Sequence, residues 1–215
     1  MRGVFLALAL CAVAGALPAR QLFAPPPQPL PRPPSSATQA QVARWIVSQA
    51  QFGMMATTSC GSGGRPKGLA MSNVASVSDG VHSDVAAGNS TGVPLLYITA
   101  MDPTGADLAV NPAGSIGFTQ AYGKDGGFPA AAACKEPENP TCARLTLMGS
   151  WELVSAPAAK AAAKKALFSK HPQMASWPGG HGWLVYRLKI DYIFLLSNYG
   201  GTAPIKVAEY LAATP

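Results

Sequence analysis

The sequence predicts a β-rich α+β domain centred on a small antiparallel barrel, and three observations carry that reading. Between Phe52 and Gln120, apolar runs of strand length alternate with Gly, Pro, Asn and Asp turn residues, the pattern of an antiparallel meander. From Arg144 to Val154, apolar and polar residues alternate strictly, with Leu145, Leu147, Gly149, Trp151 and Leu153 on one face, as in a strand with one side buried. From Trp183 to Leu196 the same alternation sets Leu184, Tyr186, Leu188 and Ile190 against Arg187, Lys189 and Asp191. The far half of that strand, Tyr192 to Leu196, is apolar on both faces, which implies a cover from this chain or from a partner subunit.

The elements follow in order. A helix spans Ser36 to Gln51, capped by Ser36 or Thr38, with Val42, Trp45 and Ile46 inward and Gln41 and Arg44 on the wet side. Strands are expected at Met54 to Ser59, Leu69 to Val77, Pro94 to Ala100 and Ser115 to Gln120. A short helical turn from Ala106 to Val110 ends before Pro112, because the residue preceding a proline is driven from the helical region. Tyr122 to Cys142 reads as a Gly-, Ala- and Pro-rich insertion. A second helix starts at Ser155-Ala-Pro157 and runs to Ser169, with Lys160 and Lys164 on its exposed face. A short helix from Val207 to Ala212 closes the chain.

Ahead of this domain, which we bound at residues 37–213, stand two other segments. Residues 1–16 combine Arg2, an apolar run from Val4 and Ala14-Gly15-Ala16, the pattern of a cleaved secretory signal peptide. That run falls short of the roughly 20 apolar residues that span a bilayer, so no membrane span is expected. Residues 17–36 form a leader in which Pro18 to Pro34 includes eight prolines, a composition that disfavours helix and ladder and fits a disordered spacer.

The chain of 215 residues has a net charge of +6, which becomes +5 when Arg2 leaves with the signal peptide. Lys160, Lys164 and Lys165 form its one basic cluster, without interleaved aromatics, so an anionic glycan or cell surface suits it better than nucleic acid. Loss of Cys11 with the signal leaves three of four cysteines. In an oxidising compartment Cys134 and Cys142, on either side of a seven-residue polar loop, read as a disulfide. Cys60 is then without a partner. Asn89-Ser90-Thr91 is an N-glycan acceptor, whereas Pro140 disqualifies Asn139-Pro140-Thr141. His82, His171 and His181 are spaced too widely for a helical metal pair, and Gly61 to Gly68 lacks the Ser or Thr that would follow Lys67 in a phosphate loop.

The succession Phe52-Gly-x-x-Ala-Thr, Gly64-Arg-Pro, Ser76-Val-Ser-Asp-Gly, Gly92-Val-Pro-Leu-Leu-Tyr, Asn111-Pro, the paired cysteines, Lys170-His-Pro-x-Met-x-x-Trp-Pro, His181-x-Trp183 and Asn198-Tyr-Gly-Gly resembles the CREG family of secreted glycoproteins. The resemblance runs from about Thr38 to Tyr210. It implies an FMN-binding split β-barrel with peripheral helices, of the type used by pyridoxamine phosphate oxidase. It also implies a homodimer, secretion or lysosomal delivery, and non-enzymatic control of growth and differentiation through a cell-surface or lysosomal receptor.

Flavin mononucleotide ends in a dianionic phosphate that needs Arg or Lys donors. Laid on the oxidase pattern, the basic positions fall near Leu69, Val74 and Asp102-Pro103-Thr104, so an acid, a proline and aliphatics stand in the phosphate cradle. Arg65, Ser72 and Tyr97 remain as a degenerate pocket. No cofactor is therefore expected. The alternative reading is a flavin-dependent oxidoreductase using Tyr97, Ser72 and Arg65, and a third is a barrel that binds nothing small.

Overall fold

A computed structural model describes residues 32–86, 88–122, 134, 136–197, 199 and 204–215. The expected signal peptide, residues 17–31 of the leader, and residues 123–133 and 135 of the insertion lie outside the described residues. Six strands, β1 (Phe52–Thr58), β2 (Ala70–Ser76), β3 (Leu95–Ile98), β4 (Ala113–Thr119), β5 (Arg144–Leu153) and β6 (Leu184–Leu196), form one antiparallel sheet in the order β2-β1-β4-β5-β6-β3. The sheet curls until its two edges meet. Ser78, just past β2, exchanges backbone hydrogen bonds with Leu95 at the start of β3, and this single bridge closes the barrel.

The interior is filled by the inward residues of every strand, among them Met55, Ile116, Leu145, Leu147, Trp151, Leu188, Ile193 and Leu195. Helix α1 (Gln39–Gln49) adds Ala43, Trp45, Ile46 and Val47 to the same core. Its start is set by a capping box in which the Thr38 hydroxyl accepts from Gln41 N at 3.2 Å and Gln41 Oε1 accepts from Thr38 N at 2.9 Å.

Helical spacing placed Arg44 on the wet side of α1, yet it is buried. Its Nη1 donates to the carbonyls of Tyr210 and Leu211 at 3.1 and 3.0 Å and to that of Ala213, and its Nη2 donates to that of Ser90. The guanidinium thus caps the C-terminal end of α5 (Val207–Ala212), where the last turn leaves carbonyls without intrahelical partners.

Strand β6 does not keep one alternation throughout. Met148 pairs with Tyr192 while Gly149 pairs with Ile190, so Asp191 is an extra residue, a β-bulge. Beyond it the phase inverts, burying Ile193 and Leu195 and turning Tyr192 and Phe194 outward. The bulge requires glycine at 149, because a side chain there would run into the Lys189 carbonyl. On β5 the expected inward Leu153 is exposed, since it stands at the strand's last position.

Helix α3 (Pro103–Val110) starts one turn earlier than the periodicity suggests, with Asp102 as N-cap and Pro103 at its first position. Gly105 lets it lie against β3, because a side chain there would overlap the Thr99 carbonyl. A short helix, α2 (His82–Ala86), occupies what reads as loop in the sequence. Outside the barrel, α4 (Pro157–Lys170) packs on β3 and β6 through a smaller cluster of Ala163, Leu167, Met174 and Val185, flanked by Leu95, Tyr97, Phe168 and Trp177.

Candidate functional site

The site arises where the barrel splits. Extending the Ser78–Leu95 register would set Ser76 opposite Tyr97 and Val74 opposite Thr99, but among the described residues no ladder joins these pairs. A cavity of about 210 Å³ opens between them, lined by Val74 to Ser76, Leu96 to Thr99, Asp102, Met174, Trp177 and Trp183.

One wall is aromatic. Tyr97 stacks with Trp183 at 5.0 Å between centroids and with Trp177 at 6.0 Å, and the two tryptophans lie 4.7 Å apart. Phe168 meets Tyr97 edge-on at 5.1 Å, and Lys164 Nζ lies 5.5 Å from the Tyr97 centroid and 5.4 Å from that of Phe168. The loop carrying Trp183 is pinned in two ways. Trp183 Nε1 donates to the Pro178 carbonyl at 2.8 Å, and the Thr99 hydroxyl donates to the His181 carbonyl. Burial pushes the Tyr97 hydroxyl above its ordinary pKa, so it stays a neutral donor.

Asp102 brings a charge to the lining. Asp102 Oδ1 accepts from Thr104 N at 2.8 Å and from Asn73 Nδ2 at 3.2 Å, and its Oδ2 lies 3.4 Å from the same amide. Asn73 also donates to Thr104 Oγ1 at 3.0 Å, which holds the carboxylate in place. None of the ion pairs among the described residues includes Asp102. The groove therefore has net negative character beside π-faces, a poor host for a phosphate.

Of the three residues expected to form a degenerate pocket, Tyr97 lines the groove and the other two do not. Arg65 is committed elsewhere: Nη2 and Nη1 lie 2.9 and 3.1 Å from the two oxygens of Asp107, and Nη2 donates to Ser62 Oγ at 2.8 Å. Asp107 is fully buried and also accepts from Thr57 Oγ1 at 2.9 Å and Cys60 N at 2.8 Å. Ser72 is exposed on β2, opposite Ala56. Asn89 is exposed between α2 and β3, while Ser90 of its acceptor tripeptide is buried. Cys134 and Cys142 are joined as a disulfide with Cα atoms 5.5 Å apart, and Cys60 is a free thiol. Trp177 and Trp183, which line the cavity, and Asn73, which holds Asp102, are not among the pocket residues the sequence suggests. The clustered tryptophans of Trp177-Pro and His181-x-Trp183 were the one available signal.

A second polar cluster lies near α4, away from the groove lining. Lys170 is buried and donates to the carbonyls of Ser48 and Ala50 at 3.2 and 2.6 Å. Desolvation pulls its pKa down to about 8, with buried Asp79 opposing. His171 Nε2 sits 2.8 Å from the Val77 carbonyl, and burial lowers its pKa along with that of His82. Among the described residues no group of three or more His, Cys, Asp or Glu could hold a metal ion.

Fold and groove together define a split β-barrel protein whose cleft presents a carboxylate and aromatic rings. The chain matches the family model described as CREG, beta-barrel, over residues 34–212, and it belongs to that family. It is 36% identical over 187 residues to Protein CREG2 of Homo sapiens, covering 85% of this chain and 59% of that one. It is 34% identical over 212 residues to Protein CREG1 of Gallus gallus, covering 96% and 97%. The chain thus spans only 59% of the length of the CREG2 relative. Among solved structures, a heme binding protein from Mycobacterium smegmatis superimposes with a TM-score of 0.62 at 20% identity, over 82% of this chain and 61% of that one. Campylobacter jejuni ChuZ does so with a TM-score of 0.54 at 10% identity, over 76% and 57%. At such identities the likeness concerns the fold.

Proposed function

We propose that this protein is a secreted or lysosomal, non-enzymatic split-barrel glycoprotein that acts as a homodimer by binding a receptor-type macromolecule in growth and differentiation control. The observation that carries the reading is Asp102. It lines the groove and forms no ion pair among the described residues, at a position where the oxidase sequence pattern carries the basic residues that grip a flavin's phosphate, while Arg65 is already held by Asp107. Repulsion replaces attraction at that point.

Dimerisation draws support from the outer face of the sheet. Val74, Met54, Gly117, Thr146 and Phe194 are successive cross-strand partners on one face, and Met148 and Tyr192 pair beside them. Val74, Met54, Met148, Tyr192 and Phe194 are all exposed apolar residues. Exposed apolar residues on four strands of one sheet face fit a second copy of the chain. Exposed Lys165, with half-buried Lys160 on the same helix α4, offers a basic surface for an anionic glycan. Asn89, exposed, suits an N-glycan, and glycosidase treatment of protein from eukaryotic cells should raise its mobility while Asn89→Gln abolishes the shift. Among the described residues no helix is long and apolar enough to cross a membrane.

The deciding experiment is dialysis after addition of flavin mononucleotide, followed by visible absorption. The expected result is a colourless protein. A retained yellow chromophore with bound phosphorus would instead favour the flavin-dependent oxidoreductase.

A further inference from the structure

We propose that the groove at the barrel split is a binding site for a small organic cation, an alkylammonium group held between the aromatic wall and Asp102. This rests on the reading that the groove no longer grips a flavin phosphate, and it assigns the space an occupant of opposite charge. Three observations converge. The cavity of about 210 Å³ is smaller than the roughly 300–1,000 Å³ of drug-sized pockets, so it admits a compact group. Tyr97, Trp177 and Trp183 all line the cavity, and aromatic rings attract ammonium ions, with tryptophan the strongest of the aromatic partners. Lys164 already rests over Tyr97 and Phe168, so the cluster holds one cation on its α4 side, while neither Lys164 nor Phe168 lines the groove itself.

Asp102 gives the site its sign. Its two oxygens are oriented by Asn73 and the backbone of Thr104, neither of which neutralises it, and it lines the same cavity as both tryptophans. An alkylammonium ion in this space pairs with the Asp102 carboxylate and makes cation–π contacts with the aromatic lining. A neutral group of equal shape would gain only the apolar contact. The same chemistry is presented by a free quaternary ammonium and by a choline headgroup in a membrane.

The test is tryptophan fluorescence of the whole secreted chain titrated with choline, with 3,3-dimethylbutan-1-ol as its uncharged isostere. Trp45 and Trp151 are fully buried in the core, so a saturable change reports on Trp177 and Trp183. Asp102→Asn is the informative variant, because asparagine caps α3 as well as aspartate does and only the charge is removed. Choline should saturate the wild type, bind Asp102→Asn at least tenfold more weakly, and outbind the isostere by a similar factor. Trp183→Leu should also weaken binding, with its thermal midpoint measured to confirm folding. Sedimentation with phosphatidylcholine vesicles assigns the ammonium to a lipid headgroup if the protein co-sediments in an Asp102-dependent way, and to a free ion if it does not. Equal binding by the isostere, equal binding by folded Asp102→Asn, or no saturable change would overturn the inference. Flavin retention would overturn the proposed function instead, so the two failures are distinguishable.

Discussion

The Arg65 guanidinium closes on Asp107 with bonds of 2.9 and 3.1 Å to its two carboxylate oxygens, and that pairing ties the loop after β1 to α3. Arg65 holds the Asp107 carboxyl far below the usual carboxylate range, with Cys60 N and Thr57 adding to the effect. The depressed carboxyl contributes stability that is present above the ordinary pKa near 3.9 and disappears as pH falls below it. Asp107→Ala should destabilise by about 3 kcal/mol in urea unfolding, since a buried charged acceptor with several donors is lost. Asp107→Asn should flatten the dependence of stability on pH below about 4, and Arg65→Met should move the onset of acid unfolding upward.

The cluster of Lys170, His171, His82 and Asp79 makes the fold sensitive to mild acid. Burial lowers the pKa of both histidines, and Lys170 pushes in the same direction. The unfolded chain therefore takes up more protons as pH falls through the imidazole range, so stability should drop as pH goes below about 6.5. Urea midpoints measured across that range should show this slope, and His171→Gln should reduce it. Lys170 adds a separate rise at high pH. Because its pKa is pulled from 10.5 to about 8, stability should grow between those values, and Lys170→Met should erase that growth.

Phe194 stands at the end of the cross-strand row Val74, Met54, Gly117, Thr146. If a second copy covers this face, Phe194→Asp places an unpaired charge in the interface and should convert a dimer to a monomer with an unchanged circular dichroism spectrum. Sedimentation equilibrium reads the mass directly. A monomeric wild type would remove the sheet face as the site of self-association.

The disulfide between Cys134 and Cys142 closes a short loop that leads into β5. Cys142→Ser should lower stability by about 2.5 kcal/mol on chain-entropy grounds, measured by urea unfolding without reductant. Wild type with dithiothreitol should approach the same value.

Much of the architecture was legible because its signals are local. Alternation marked β5 and β6, and turn residues marked the meander, since side-chain period and backbone punctuation act over a few residues. The start of α3 was equally local and was missed, although Asp102-Pro103 is a strong N-terminal signature. The bulge at Asp191 was not legible from β6 by itself. It depends on Gly149 of β5 letting the Lys189 carbonyl approach, a relation between strands forty residues apart in sequence.

By itself the sequence determined a β-rich barrel and, through the motifs it carries, the family resemblance that implies the split-barrel type, because apolar alternation, turn residues and motif order are written along the chain. Tertiary structure alone decided that Arg44 is buried on the carbonyls of α5, that Arg65 belongs to Asp107, and that Trp177, Trp183 and Asp102 face one cavity. The physical reason is that a side chain's charge is written in its residue type, whereas the partner that satisfies it is set by which distant strands and helices the closed barrel brings together.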